Sequence, residues 1–200
     1  MRKWIAVPLV ALVLGALPLG MVARAQMPAG DFGNLARYRA ENEALAGHDD
    51  PARVVFMGDS ITQNWAREPY LRDRTDHIGR GISGQTAPQM LLRFRSDVIA
   101  LHPAVVHIMA GTNDVAGNTG PETPDEIYGY IVSMVELARA NGIRVVLAGI
   151  PPTRYFNWRP EVGDQGAEIA AINARLAAYA KAHRIVFVDY ARVLADPSGR

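Results

Sequence analysis

The sequence has 200 residues, of which 49% are hydrophobic and 20% are charged, and its formal net charge is +1. This is the composition of an ordinary globular domain, and it argues against a disordered chain. The balanced charge argues against a nucleic-acid partner, which needs a basic patch, and the absence of cysteine excludes disulfides and thiolate metal sites.

Residues 1–25 have the layout of a secretory signal peptide. Arg2 and Lys3 form a positively charged start, an apolar stretch runs from Trp4 to Leu19, and Ala23-Arg24-Ala25 is a small-x-small cleavage site. A membrane anchor is the alternative, but the apolar stretch is short for a span and is interrupted by proline and glycine. We therefore expect export to the periplasm or the medium, with no stable membrane span.

Residues 26–52 are predicted to be a lead-in to the main domain. A helix is expected from about Asn34 to Ala46. The polar segment 47–51, which begins with glycine and ends with proline, is expected to terminate it. The main domain then covers residues 53–200.

Within that domain, short apolar runs alternate with longer segments of helical periodicity. Runs typical of β-strands lie at Val54–Met57, His77–Ile78, Val105–Ala110, Ile143–Ile150 and Ile185–Val188. Apolar stripes typical of helices are formed by Met90, Leu91, Phe94 and Val98, by Ile127, Ile131, Met134, Val135 and Ala138, and by Ile169, Ile172, Leu176, Tyr179 and Ala180.

The second of these helices has clear boundary signals. Thr123 and Glu126 form a capping box, Pro124 suits the first turn, and Asn141-Gly142 marks the end. Strands that alternate with helices pair in parallel and are covered on both faces. The sequence therefore predicts a flavodoxin-like three-layer α/β/α sandwich with about five parallel strands.

Three candidate site residues follow the first three predicted strands, where ligands bind in open parallel sheets. Ser60 opens a predicted helix and offers a hydroxyl beside backbone N–H groups. Gly84 lets a backbone N–H approach a ligand, and Asn113 offers an amide donor. Taken singly, each also has a structural interpretation, as a helix cap, a turn glycine and a turn asparagine.

The motifs Gly58-Asp59-Ser60-Ile61-Thr62, Gly84 and Gly111-Thr112-Asn113-Asp114 resemble, in this order, the first three motif blocks of the SGNH/GDSL hydrolase family. The resemblance implies a serine ester hydrolase that forms an acyl-enzyme on Ser60. It implies that Ser60, Gly84 and Asn113 form an oxyanion hole, and that the substrate is a small ester, an acylated carbohydrate or a lipid. We expect no cofactor and no metal. A nucleotide-binding protein with the same alternation of strands and helices is a further alternative, but a P-loop pattern is absent from the sequence.

The last motif of that family, Asp-x-x-His, has no match in the sequence. None of the five histidines, His48, His77, His102, His107 and His183, has an aspartate three positions earlier. We interpret all five as structural or solvated. We expect the hydrolase domain to be truncated at its C-terminus and the 200-residue chain to be a poor catalyst. A non-catalytic carbohydrate- or lipid-binding domain of the same fold is the alternative.

An aromatic group follows the fourth predicted strand. Tyr155 and Trp158, with Phe156 between them, are predicted to bind substrate as a wall against a sugar ring or an acyl chain. The alternative is that these rings cover the end of the core.

Overall fold

The computed structural model describes residues 30–194, so the predicted signal peptide and the residues after Leu194 lie outside the described residues. The strands are β1 Val54–Gly58, β2 His77–Gly81, β3 Val105–Ile108, β4 Arg144–Ala148 and β5 Val186–Val188. The helices are α1 Arg39–Leu45, α2 Ser60–Trp65, α3 Pro69–Arg72, α4 Ala87–Asp97, α5 Thr112–Val115, α6 Pro124–Ala140, α7 Gly166–His183 and α8 Ala191–Leu194.

The five strands form one parallel sheet in the order β2-β1-β3-β4-β5. Strand β1 is an interior strand, in which Val54 pairs with His77 of β2 and with Val105 of β3. The first crossover runs towards one edge of the sheet and the next three run towards the other. Right-handed connections therefore place α2 on one face and α4, α6 and α7 on the opposite face. The predicted three-layer α/β/α sandwich is confirmed.

The main core lies between the sheet and α4, α6 and α7. The predicted helix stripes face the sheet, with Leu91 and Tyr179 only partly buried at the margin. The strand residues that they meet alternate along β1, β3 and β4. The residues with no exposed surface include Val55, Met57, Val106, Ile108, Leu147, Met90, Phe94, Met134 and Leu176.

The second face of the sheet carries an aromatic cluster. Phe56 of β1 lies between His77 and His107, with ring centroids 5.5 and 5.6 Å away. Trp65 of α2 lies 6.2 Å from the His107 ring. On this face of β5, Val186 is 62% exposed, so within residues 30–194 this helical layer covers less of the sheet than the first one.

The boundary signals of α6 are confirmed. Glu126 accepts from the backbone N–H of Thr123 at 2.7 Å, and Thr123 Oγ1 accepts from the N–H of Glu126 at 3.3 Å. Asn141 caps the other end, and Gly142 follows with φ of +74°.

The lead-in helix is shorter than expected. It begins at Arg39 rather than near Asn34, which has φ of +53° in a turn. Asp31 causes the difference, because its carboxylate accepts from the N–H groups of Leu35 and Ala36 and stabilises turns there. The lead-in is nevertheless packed on the domain, since the Tyr38 hydroxyl donates to the carbonyl of Gly81 at the end of β2.

Candidate active site

Ser60 lies at the junction between β1 and α2. Asp59 caps the helix, its Oδ1 accepting from the N–H of Ile61 at 2.9 Å. The turn requires Gly58, because a Cβ at that position would lie 2.0 Å from Thr62 Oγ1. Ser60 itself is partly exposed, and its hydroxyl has no hydrogen-bond partner among residues 30–194. The hydroxyl is therefore available to react with a ligand.

The second segment runs from the end of β2 to the start of α4. Gly81 lies against the first segment so closely that an added Cβ would be 2.2 Å from the backbone nitrogen of Gln63. Gln63 Oε1 accepts from the N–H of Ser83 at 2.7 Å. Gly84 follows with φ of +78°, a conformation that L side chains rarely adopt.

The third segment places Asn113 on the short helix α5 after β3. Gly111 precedes it with φ of +117°, and an added Cβ there would lie 2.5 Å from Ile150 Cδ1. Asn113 is buried, and its Nδ2 donates to the carbonyl of Gln85 at 2.9 Å and to Asp59 Oδ2 at 3.2 Å. The third segment therefore contacts both of the others.

The structure thus brings Ser60, Gly84 and Asn113 to one end of the sheet, on three segments that hydrogen bonds tie together. Their chemical roles stay predictions. The three rings of the aromatic group differ in exposure. Phe156 is 1% exposed and lies in the core, whereas Tyr155 and Trp158 are 57% and 52% exposed.

Trp158 is connected to the second and third segments through Asn118. Its indole Nε1 donates to Asn118 Oδ1 at 3.0 Å. Asn118 Nδ2 donates in turn to Asn113 Oδ1 at 2.9 Å and to the carbonyl of Gly84 at 3.1 Å. Sequence reasoning missed Asn118, because its partners lie far apart in the chain and no periodicity points to it.

Arg93 was missed as well. It has no exposed surface, and its guanidinium donates to Gln85 Oε1 at 2.6 Å, to Asp97 Oδ2 at 2.9 Å and to the carbonyl of Gly58 at 3.1 Å. The Arg93 side chain therefore connects the end of β1 with the second segment. A signal was available, since Arg93 falls within the apolar stripe of α4, where a charged residue is rarely buried without partners.

Two buried carboxyl groups near the site have displaced pKa values. Burial raises the pKa of Asp59 to about 6, against the effect of the N–H of Ile61. Burial also raises the pKa of Asp114 to about 8, although the N–H of Ala87 donates to its Oδ1 at 2.7 Å. The carboxyl of Glu122 lies within hydrogen-bonding reach of Asp114.

Two buried oxygens of Asp114 and Glu122 indicate that the two carboxyl groups share a proton. Asp114 Oδ2 and Glu122 Oε2 are both buried, and neither has a donor among residues 30–194. A single proton between the two carboxyl groups satisfies both oxygens, whereas two carboxylates would repel each other. The pair joins α5 to the loop that carries Asn118.

None of the five histidines hydrogen-bonds to Ser60 within residues 30–194. His48 and His102 are exposed, and His183 lies against the Tyr179 ring with centroids 4.2 Å apart. The other two are on strands. His77 Nδ1 lies 3.0 Å from Asp76 Oδ1. His107 is buried, and its Nε2 lies 3.2 Å from the hydroxyl of Tyr190. Desolvation lowers the pKa of His107 to about 4.

Open parallel sheets bind their ligands at the carboxyl ends of the strands, which is where the serine, the glycine and the amide lie. The chain belongs to the GDSL-like Lipase/Acylhydrolase family, whose model matches residues 56–200. The family is one of lipases and acylhydrolases, enzymes that hydrolyse ester bonds.

Solved structures agree with this assignment. A GDSL-like lipase from Bacteroides thetaiotaomicron VPI-5482 is 49% identical, with 84% of this chain and 83% of that chain covered and a TM-score of 0.79. A structure from Bacteroides fragilis NCTC 9343 is 48% identical, with 84% and 81% covered and a TM-score of 0.79.

A curated relative is more distant. The uncharacterized lipoprotein YqeF of Bacillus subtilis (strain 168) is 32% identical over 119 residues, covering 50% of this chain and 48% of that protein. The chain thus matches about half the length of this relative. Across residues 30–194, every helix is too short or too polar to cross a membrane.

Proposed function

We propose that the protein is an exported serine esterase in which Ser60 is the nucleophile. The observation that carries the proposal is the free Ser60 hydroxyl beside three segments that hydrogen bonds hold in fixed relation. The Ser60 oxygen attacks the ester carbonyl, its proton passes to a base, and the alcohol leaves with a proton. The resulting acyl-enzyme is then hydrolysed by water, which returns Ser60 to its free form.

The negative charge that develops on the carbonyl oxygen needs donors. The backbone N–H groups of Ser60 and Gly84 and the amide of Asn113 fill this role in the proposal. One such donor contributes about a hundred- to a thousand-fold in rate. Gly84 supports the assignment, because among residues 30–194, its chain neighbours aside, the nearest atom to an added Cβ is Asn118 Nδ2, at 3.9 Å.

In the proposal none of the five histidines is the base, because within residues 30–194 none of them hydrogen-bonds to Ser60. This observation also favours a second candidate, a binding domain of the same fold that holds acylated carbohydrate or lipid without hydrolysing it. In both candidates the exposed rings of Tyr155 and Trp158 contact the ligand.

Export rests on the leader in residues 1–25, with cleavage after Ala25. The Bacillus relative is a lipoprotein, which supports a location outside the cytoplasm. The present sequence contains no cysteine, the residue to which a bacterial lipoprotein anchor is attached. Intact mass of the secreted product tests the proposal. A product that begins at Gln26 supports it, and one that retains Met1 contradicts it.

The decisive experiment compares hydrolysis of a small activated acetate ester by the chain, by Ser60→Ala and by Ser133→Ala. Ser133 is the matched control, because its hydroxyl bonds within α6 to the carbonyl of Gly129. We expect Ser60→Ala alone to lose the turnover. Equal rates for all three proteins, together with saturable binding of an acylated sugar or lipid, would support the binding domain instead.

A further inference from the structure

Asn118 occupies a junction between the aromatic group and the segments around Ser60. Its side chain makes three hydrogen bonds, one to Trp158, one to Asn113 and one to Gly84. Its backbone N–H donates to the carbonyl of Asn113 at 2.9 Å. The residue is partly buried, whereas its hydrogen bond to Trp158 lies at the exposed surface.

The contacts of Asn118 fix which way the amide of Asn113 points. Asn113 Oδ1 accepts from Asn118 Nδ2, and Asn113 Nδ2 therefore faces the acceptors of Gln85 and Asp59. A half-turn of the Asn113 amide would set its oxygen against those two oxygens and its NH₂ against that of Asn118. Every contact would become repulsive.

The amide of Asn118 is oriented in the same way. Its Oδ1 accepts from the indole of Trp158, and its Nδ2 faces the oxygens of Asn113 and Gly84. A second contact holds the two loops together, since Arg159 donates to the carbonyl of Gly117 at 2.7 Å. The indole N–H is therefore the first donor in a chain of bonds that ends at Asn113.

Trp158 is placed to receive substrate on the rest of its ring. The ring is 52% exposed, and its other side is supported by Phe156, with centroids 5.2 Å apart. A ligand that covers the exposed ring removes water from the bond between Trp158 and Asn118, which strengthens that bond.

We propose that Asn118 is a positioning residue that sets the amide of Asn113 for the oxyanion and couples it to Trp158. The proposal rests on the esterase function proposed above. In it, the aromatic ring contributes to the acylation rate as well as to substrate affinity, because its N–H orients the chain of amides.

The first test needs no turnover. Side-chain amide NMR signals of the ¹⁵N-labelled chain are compared with those of Trp158→Phe, which keeps a ring but removes the N–H, and of Asn118→Ala. We expect the Asn113 NH₂ signals to shift in both variants, although Trp158 does not hydrogen-bond to Asn113. Asn141→Ala is the control, since within residues 30–194 its side chain donates to the carbonyl of Leu137 in α6 and reaches no residue of the site. Unchanged Asn113 signals in both variants would overturn the proposal.

The second test is kinetic and uses the activated acetate ester. We expect Asn118→Ala to lower kcat about tenfold or more, and Trp158→Phe to lower it several-fold, both with KM within about twofold. A change confined to KM in both variants would mean that the two residues only bind substrate. Folding is checked by the dispersion of the NMR spectra.

The two proposals fail in different ways. Turnover that Ser60→Ala does not reduce contradicts the esterase function. The NMR comparison then tests only whether Trp158 and Asn118 orient the amide of Asn113. Turnover that depends on Ser60 but not on Asn118 contradicts the positioning role and leaves the esterase function intact.

Discussion

Asn113 Nδ2 donates to Asp59 Oδ2 across 3.2 Å, so the amide proposed for the oxyanion is bonded to the residue next to the proposed nucleophile. The other hydrogen of this NH₂ group bonds to the carbonyl of Gln85 at the shorter distance of 2.9 Å. We expect the oxyanion to replace Asp59 Oδ2 as the acceptor of this hydrogen in the transition state.

Asn113→Ala is expected to lower kcat by about a hundred- to a thousand-fold and to change KM little, because the donor serves the transition state more than the bound ester. Steady-state hydrolysis of the activated acetate ester measures both constants. Asn141→Ala, at the exposed end of α6, is the control. If only KM rises, Asn113 belongs to ordinary substrate binding.

A base from solution is expected to assist Ser60. Because no histidine of residues 30–194 bonds to the Ser60 hydroxyl, we expect slow turnover that increases when imidazole is added. The same measurement on Ser60→Ala gives the rate of the direct reaction between imidazole and the ester, which is then subtracted. An imidazole-independent rate typical of a complete serine esterase, about 1–10³ per second, contradicts the expectation.

The carboxyl pair predicts a loss of stability at alkaline pH. Asp114 has its pKa raised by burial from 3.8 to about 8, so the folded state binds more protons than the unfolded state between these values. Stability from this group is therefore present below pH 4 and is lost as pH rises towards 8. His107 acts oppositely between about 4 and 6.5, so the window from 6.5 to 8 isolates the pair.

Urea unfolding at pH 6.5 and pH 8 measures this loss, which we expect to be on the order of 1 kcal/mol. Asp114→Asn is expected to reduce it, because the amide keeps an acceptor for Ala87 and donates to Glu122. Asp125→Asn is the control, since its side chain is 85% exposed. An equal loss in wild type and Asp114→Asn would show that the pair shares no proton.

Gly81→Ala is expected to destabilise the fold by about 2 kcal/mol or more, because its Cβ would lie 2.2 Å from a backbone nitrogen of α2. Gly129→Ala is the matched comparison within α6, where an added Cβ meets nothing within 4 Å. We expect it to stabilise the fold by about 0.5–1 kcal/mol. Thermal unfolding of both variants checks the pair, and equal effects would contradict the close packing of β2 on α2.

Arg93→Met is expected to cost about 3–5 kcal/mol of stability, because it leaves Asp97 buried without its cationic partner. Arg95→Met is the control, since Arg95 is exposed on the same helix. Chemical denaturation compares the two. Similar midpoints for both variants would mean that the buried ion pair makes no net contribution.

The strands and long helices could be predicted from sequence, because their apolar residues repeat with the period of the element. The exception is β2, of which only His77–Ile78 was recognised. Gly79 and Gly81 make this strand look weak, yet they are what lets α2 lie against it, since a Cβ at Gly79 would be 2.4 Å from that of Ala66. Close packing between elements leaves no periodic trace.

The site could be predicted in part. Ser60, Gly84 and Asn113 follow strands in a recognisable order, so a motif locates them. Asn118 contacts residues that are 5, 34 and 40 positions away, and only the folded chain reveals its place. Phe156 and Trp158 are two residues apart, and the sequence could not tell which ring is buried and which is exposed.

The burial of Arg93 has a consequence for how the chain folds. Its charge loses hydration when α4 closes on the sheet, and the partners that compensate come from Gly58, Gln85 and Asp97. Closure before the first two segments have assembled would bury the guanidinium with Asp97 of the same helix but without its acceptors at Gly58 and Gln85. We therefore expect the site and the core to form together, so that intermediates with a finished core but an open site do not accumulate.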